Sequence, residues 1–206
     1  MLNILERRNS SNVQKVLWVC DELHLSYERE DIGGAFGHNQ SAKYLAMRPN
    51  GTVPALIDIG RTLWESNAIV CYLCESREPH DLLPENVWSI ALAQQWMGWQ
   101  QTILAPAFRP LFWNLIRNSP QNQDLEAVCT SRNKTEAALR ILDDYLSQHR
   151  YVVGEHFSYG DSPVGVMAYR WFNLDIQRAT LPSLEGWYRQ LTARQAYQDN
   201  VMMTMN

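Results

Sequence analysis

Ser10, Ser11 and Asn12 stand immediately before a stretch whose apolar residues, Val13, Val16, Leu17, Cys20 and Leu23, recur in steps of three and four. That spacing describes one face of a helix, and short polar residues at its head are natural N-caps. The first turn of a helix also carries unpaired backbone N–H groups and the positive end of the dipole, a favourable place for an anion such as a thiolate. A free thiol has a pKa near ~8.5, and lowering it by roughly two units takes about 2.7 kcal/mol of preferential thiolate stabilisation. A hydrogen bond to a charged group contributes roughly 1.5–3 kcal/mol, so one hydroxyl plus the dipole supplies much of that. Plain capping of the helix accounts for the same three residues.

Three further groups have types suited to binding. Pro54 heads the β-like run Val53-Pro-Ala-Leu-Ile57, although proline lacks an N–H and is rare inside sheets. An X–Pro bond takes the cis form at small cost, and a fixed cis bond marks a special local geometry. The alternative is an ordinary turn at Asn50-Gly51 with Pro54 on a strand edge. Glu65-Ser66 opens another helical stretch, where a serine with free N–H groups suits a carboxylate and a glutamate suits an ammonium. His38, Asn39 and Gln40 lie in a loop bordered by Gly33, Gly34 and Gly37.

The elements that must position these residues fall into two sets. Residues 2–5 read as a short strand, 13–23 as a helix, 27–32 as an edge strand, 53–57 and 62–64 as a hairpin, and 65–77 as a helix. This order suggests a small α/β domain over residues 1–78. Residues 79–86, with two prolines, form the linker, and residues 87–206 read as an all-α domain. Its expected helices span 87–118, kinked by Pro106 and Pro110, then 124–148, and shorter segments near 161–174 and 183–193. Ser158-Tyr-Gly-Asp161 has the form of a capping box, a structural device. The ending, 201–206, is apolar but short, and frays or folds back onto the helical domain.

Composition narrows the function classes. Hydrophobic residues make up 46% of the 206 and charged residues 19%, enough for a real core and too little charge for a disordered chain. The net charge is −4 and neither domain is basic, which argues against nucleic acid as a partner. No apolar run approaches the ~20 residues of a membrane span, and the N-terminus lacks the pattern of a signal peptide. Scattered cysteines (Cys20, Cys71, Cys74, Cys129) fit reduced thiols and a cytoplasmic location. Cys71 and Cys74 have C-x-x-C spacing inside an expected helix and read as packing, and no metal site is expected among the five histidines.

The segments Asn9-Ser-Ser-Asn-Val-Gln-Lys-Val16, Asn50-Gly-Thr-Val-Pro-Ala-Leu56, Leu63-Trp-Glu-Ser-Asn-Ala-Ile69 and Phe157-Ser-Tyr-Gly-Asp161, in that order, resemble a cytosolic glutathione S-transferase. The first is most similar to bacterial and theta-, phi- or zeta-like members with Ser, Thr or Asn at the first helix. The resemblance implies a thioredoxin-like α/β domain followed by an all-helical domain, and conjugation of glutathione to a small electrophile. It implies catalytic roles for Ser10, with Asn12 as second donor and Ser11 as rival. It also implies a cis Val53-Pro54 bond that lets Val53 pair with the cysteinyl backbone. Glu65 and Ser66 would take the γ-glutamyl head, and His38 and Asn39 the glycine carboxylate.

Aromatic residues cluster in the helical domain: Trp96, Trp99, Phe108, Phe112, Trp113, Trp171 and Phe172. Most belong to the core. Those near Pro106 and Pro110, Trp113 among them, are candidates for an electrophile pocket, with Arg109 meeting a carboxylate or halide or else lying on a solvated or dimer face. Glutathione would act as co-substrate, without a metal, in a homodimer that packs the first domain of one subunit on the helical domain of the other. The rival readings are glutathione-dependent reductase, isomerase or dehalogenase activity on the same scaffold, and a non-catalytic binding protein.

Overall fold

Leu2, Ile4 and Leu5 are buried and form β1 (Leu2–Glu6), an inner strand of the first unit. The structure is a computed structural model and describes residues 1–77 and 80–205. After β1 come α1 (Ser11–Glu22), β2 (Tyr27–Asp31), a 3-10 turn at Gly34–Phe36, α2 (Ala42–Met47), β3 (Ala55–Asp58), β4 (Arg61–Trp64) and α3 (Ser66–Glu75). The sheet order is β2-β1-β3-β4; β1 and β2 are parallel, and the other two pairings are antiparallel. This is the thioredoxin-like arrangement that the resemblance implies. Helix α2 has no counterpart in the sequence reading: it is six residues long and buries only Tyr44.

The register decides which segments meet. Glu6 pairs with Asp31, Leu5 with Ala55, and Ala55 with Trp64. The exits of β1, β2 and β4 and the entry to β3 therefore lie at one end of the sheet. That end gathers Ser10, the Gly-rich loop, Val53-Pro54 and Glu65-Ser66. Gly34 shows how closely two of these segments approach: at φ 58° a Cβ there would lie 2.6 Å from Arg7 Nη1.

Helix α1 is buried around most of its girth from Val13 to Cys20, because α3 packs on it and so does α9 (Gln195–Asn200). The rings of Trp18 and Tyr197 meet edge-on at 4.7 Å, Asn200 Nδ2 donates to Asp21 at 2.6 Å, and Val201 is buried. Gln195–Met203 thus groups with Met1–Leu83, and not with the helical domain that the sequence predicts to extend to residue 206. The expected boundary at residues 78 and 79 lies outside the described residues. His80, just beyond it, contacts the Cys74 carbonyl at 3.0 Å and accepts from the Leu82 N–H, so this stretch is tied to the first unit.

The second unit contains α4 (Val87–Trp99), α5 (Ala105–Phe112), α6 (Leu125–Leu146), α7 (Asp161–Asn173) and α8 (Pro182–Thr192). The expected long helix over 87–118 is helical from Val87 to Arg117, but π-wound turns at Gln100–Leu104 and Trp113–Arg117 flank α5. Pro106 and Pro110 remove two ladder donors there. The Ser131 hydroxyl, from α6, inserts where the Leu111-to-Ala107 bond would run: it accepts from the Leu111 N–H at 2.9 Å and donates to the Ala107 carbonyl. No helix among the described residues is long and apolar enough to cross a membrane.

Asp161 starts α7, which puts Pro163 in the first turn, where its missing N–H does no harm. The carboxylate accepts from the Ser158 and Val152 N–H groups, the Ser158 hydroxyl and Trp187 Nε1. Burial nevertheless pushes its pKa up to about 6, against those four donors. The capping box therefore also ties α7 to the preceding loop and to α8. Asp161→Ala leaves buried donors unpaired, and we expect it to lower the unfolding free energy by about 3–5 kcal/mol in urea titrations. Ser158→Ala should cost about 1 kcal/mol.

Candidate functional site

Ser10 is the N-cap of α1, extended at φ −84° and ψ 125°. Its N–H donates to the Arg7 carbonyl and its own carbonyl accepts from Val13 and Gln14, all at 2.9 Å. Its hydroxyl makes no capping bond, which removes the simplest reason for a serine at this place. Ser11 and Asn12 are the first two helical residues, the former half-buried and the latter exposed. Their N–H groups precede the first intrahelical donors.

Val53 is buried, and the Val53-Pro54 peptide is cis, as the resemblance implies. The carbonyls on either side of Val53 are held: Tyr44 Oη donates to Thr52 at 2.6 Å and Arg48 Nη1 to Pro54 at 2.7 Å. Val53 itself precedes β3, so its N–H and C=O lie outside the sheet ladder. Asn39 is close by but already engaged. Its amide donates to the Gly51 carbonyl at 2.7 Å, and Gly33 packs between it and the Val53 side chain. His38 is exposed at φ 63° on the same loop.

Glu65 caps α3 with φ 70° and ψ 110°, a conformation that L-residues rarely adopt. This turn aims the start of α3, with buried Ser66 as its first residue, back toward the sheet end. Arg48 helps to hold it there. The side chain is 4% exposed, and its guanidinium donates to Thr52 Oγ1 at 2.8 Å and to the Pro54 carbonyl and sits 3.4 Å from Glu65 Oε1. One arginine thus links both expected binding segments. Glu65 keeps nearly half of its side chain open to solvent.

Lys15 supplies the corresponding tie from α1. Its Nζ donates to Asn67 Oδ1 at 2.7 Å, and burial lowers its pKa to about 7 against the opposing pull of Glu65. Neither Lys15 nor Arg48 was among the expected site residues. Both leave a trace in the sequence: Lys15 is charged within the apolar helix 13–23, and Arg48 directly precedes Pro49-Asn-Gly.

Arg109 and Trp113 lie in the second unit, exposed and four residues apart, on α5 and the π-wound turn after it. Trp96, Phe108, Phe112 and Trp171 are core. Within the C-x-x-C pair Cys74 is buried in α3 with its thiol pKa raised by that burial, while Cys71 is half-buried; buried Cys20 is pushed up to about 12. Among the described residues no cluster of three His, Cys, Asp or Glu side chains is arranged to hold a metal ion.

A hydroxyl free of capping duty, two helix N-termini and an unpaired strand-like residue at one sheet end suit a peptide that carries an anion. The chain matches the family described as glutathione S-transferase, N-terminal domain, over residues 2–75. It is 36% identical over 208 residues to glutathione S-transferase GstB of Escherichia coli K12, covering 100% of both chains. The chain belongs to the glutathione S-transferase family. Its fold matches the crystal structure of a theta class glutathione S-transferase from Xanthomonas axonopodis pv. citri with glutathione bound, at TM-score 0.96 and 40% identity over 100% of this chain and 99% of that one. Glutathione transferase F7 from Populus trichocarpa matches at TM-score 0.88 and 25% identity, covering both chains fully.

In this glutathione S-transferase family member, Arg48 joins the two expected binding segments, and replacing it tests that linkage. Arg48→Met should lower the unfolding free energy by about 3 kcal/mol in urea titrations, because the Pro54 carbonyl and Thr52 hydroxyl lose a buried charged donor. Amide exchange should quicken at Val53 and Ser66, measured by hydrogen–deuterium exchange, while the β1–β2 amides keep their rates.

Proposed function

We propose that this protein transfers glutathione to a small electrophile, with Ser10 as the main thiolate donor. The observation that carries the proposal is the Ser10 hydroxyl: it stands at the N-cap of α1, makes no capping bond, and sits at the sheet end where Val53 and Ser66 also lie. The glutathione-bound theta class relative, 40% identical over the whole chain, supports the choice of tripeptide. Val53 pairs through its free backbone groups with the cysteinyl residue, as an added strand would. Glu65 takes the γ-glutamyl ammonium, and the first N–H groups of α3 beside Ser66 take the carboxylate. His38 attends the glycine carboxylate, and Asn39 holds the loop in place by its bond to Gly51.

Ionisation sends the thiol proton to solvent. The thiolate then attacks the electrophile, a carbon–sulfur bond forms, and the leaving group departs with its electron pair or an activated double bond accepts the pair. Ser10 donates to the sulfur, with Asn12 as a second donor beside the dipole of α1. Arg109 and Trp113 are the candidate contacts for the electrophile. The homodimer and the cytoplasmic setting belong to the same reading, supported by the family alone.

Ser10→Ala should raise the pKa of the bound thiol by about one to two units in ultraviolet thiolate titration. It should also lower kcat/KM at pH 6.5 by roughly 10- to 100-fold, with KM for glutathione little changed. Ser11→Ala should leave both nearly as they were. The reverse ranking moves the donor role to Ser11, and glutathione binding without turnover across varied electrophiles supports a non-catalytic protein instead.

A further inference from the structure

Lys15 is a costly residue for the place it occupies. It lies on α1 with 4% exposure among Val13, Val16 and Leu17, and an ammonium has three donors to satisfy. Its single bond among the described residues goes to Asn67 Oδ1. Burying a charge with one neutral acceptor is unfavourable, and an apolar or neutral side chain would pack there at less cost. Asn67 is the second residue of α3, so its bond brings the ammonium beside that helix's first turn. The free N–H groups of this turn face the sheet end that gathers the other binding segments.

The charges around the turn leave a surplus. Lys15 and Arg48 are cationic and Glu65 anionic, and Glu65 is the half-open member of the set. A zwitterion whose ammonium goes to Glu65 leaves its carboxylate beside the α3 amides, with the remaining positive charge behind them. We propose that Lys15 is a positioning residue for the γ-glutamyl end of glutathione: its buried ammonium, held by Asn67, adds a full positive charge beneath the amides that take the carboxylate. This deepens the reading given under the proposed function and depends on it.

Lys15 is also able to lose that charge near neutrality, since burial has brought its pKa to about 7. Of the groups on the elements packed against α1, Glu65 at the head of α3 is the charge that acts on it. Cys71, Cys74 and Glu75 lie further along α3, Arg48 faces Glu65, and Asp199 of α9 gives its backbone carbonyl to Arg8. A bound carboxylate favours the charged lysine. Binding is therefore tightest below pH 7 and weakens as the pH rises through it, and the ligand in turn raises the pKa of Lys15.

The test uses S-methylglutathione, which has no thiol to titrate, and isothermal calorimetry between pH 5.5 and 8. For the wild-type protein the Kd should rise roughly tenfold across this range. Lys15→Met should bind at every pH with about the wild-type affinity at pH 8, and Lys15→Arg should stay tight and nearly flat. His38 is present in all three proteins, so the differences between them report on Lys15. In the wild-type protein, the ε-carbon resonance of Lys15 should titrate with a midpoint near 7, moving upward when S-methylglutathione is bound. A Lys15→Met profile identical to wild type, or a midpoint that the ligand does not move, overturns the role of Lys15 and leaves the glutathione reading standing. Wild-type protein that takes up no S-methylglutathione overturns both.

Discussion

The register that sets Leu5 beside Ala55, and Ala55 beside Trp64, is the constraint on which the site depends. A slip of one residue in either pairing would turn each strand's buried side chains to the opposite face and carry the connected segments with them. With this register, four segments separated in sequence by tens of residues share one sheet end. Their chemistry is elementary: a hydroxyl, two helix N-termini, and backbone groups outside the ladder. Their proximity is what makes them a candidate site.

Two buried cations stabilise this arrangement in different ways. Arg48 is bonded on all sides, to Thr52, Pro54 and Glu65, and its planar fork suits that task. Lys15 has one acceptor and a compact charge, so its field is less fully compensated. In the second unit, Asp161 is an anionic counterpart with four donors, and it serves only to join α7 to its surroundings. Asp161 has its charge met by four donors, whereas Lys15 has one hydrogen-bond acceptor and feels the charge of Glu65.

The features legible in the sequence were those with a strong local period or a strong local rule. Helix α1 announced itself through Val13, Val16, Leu17 and Cys20, and the order of the four family segments carried the fold. Helix α2 was missed because six residues with one buried side chain make no period. The place of α9 was missed because its contacts, Tyr197 on Trp18 and Asn200 on Asp21, span some 180 residues of chain. The π-wound turns on either side of α5 were missed, and so was the Ser131 hydroxyl inserted within α5, a tertiary contact with no local signature. Arg48 and Lys15 went unassigned because a cation's role depends on what it faces, and facing is set by the fold.

The central claim is that the sulfur of glutathione rests on the N-cap of α1 while its cysteinyl backbone pairs with Val53. A crystal structure of this protein with glutathione tests it most directly. The sulfur should lie within about 3.5 Å of Ser10 Oγ, with the N–H and C=O of Val53 bonded to the cysteinyl residue. A sulfur lodged against Ser11 or Asn12 instead, or a tripeptide bound away from this end of the sheet, would contradict it.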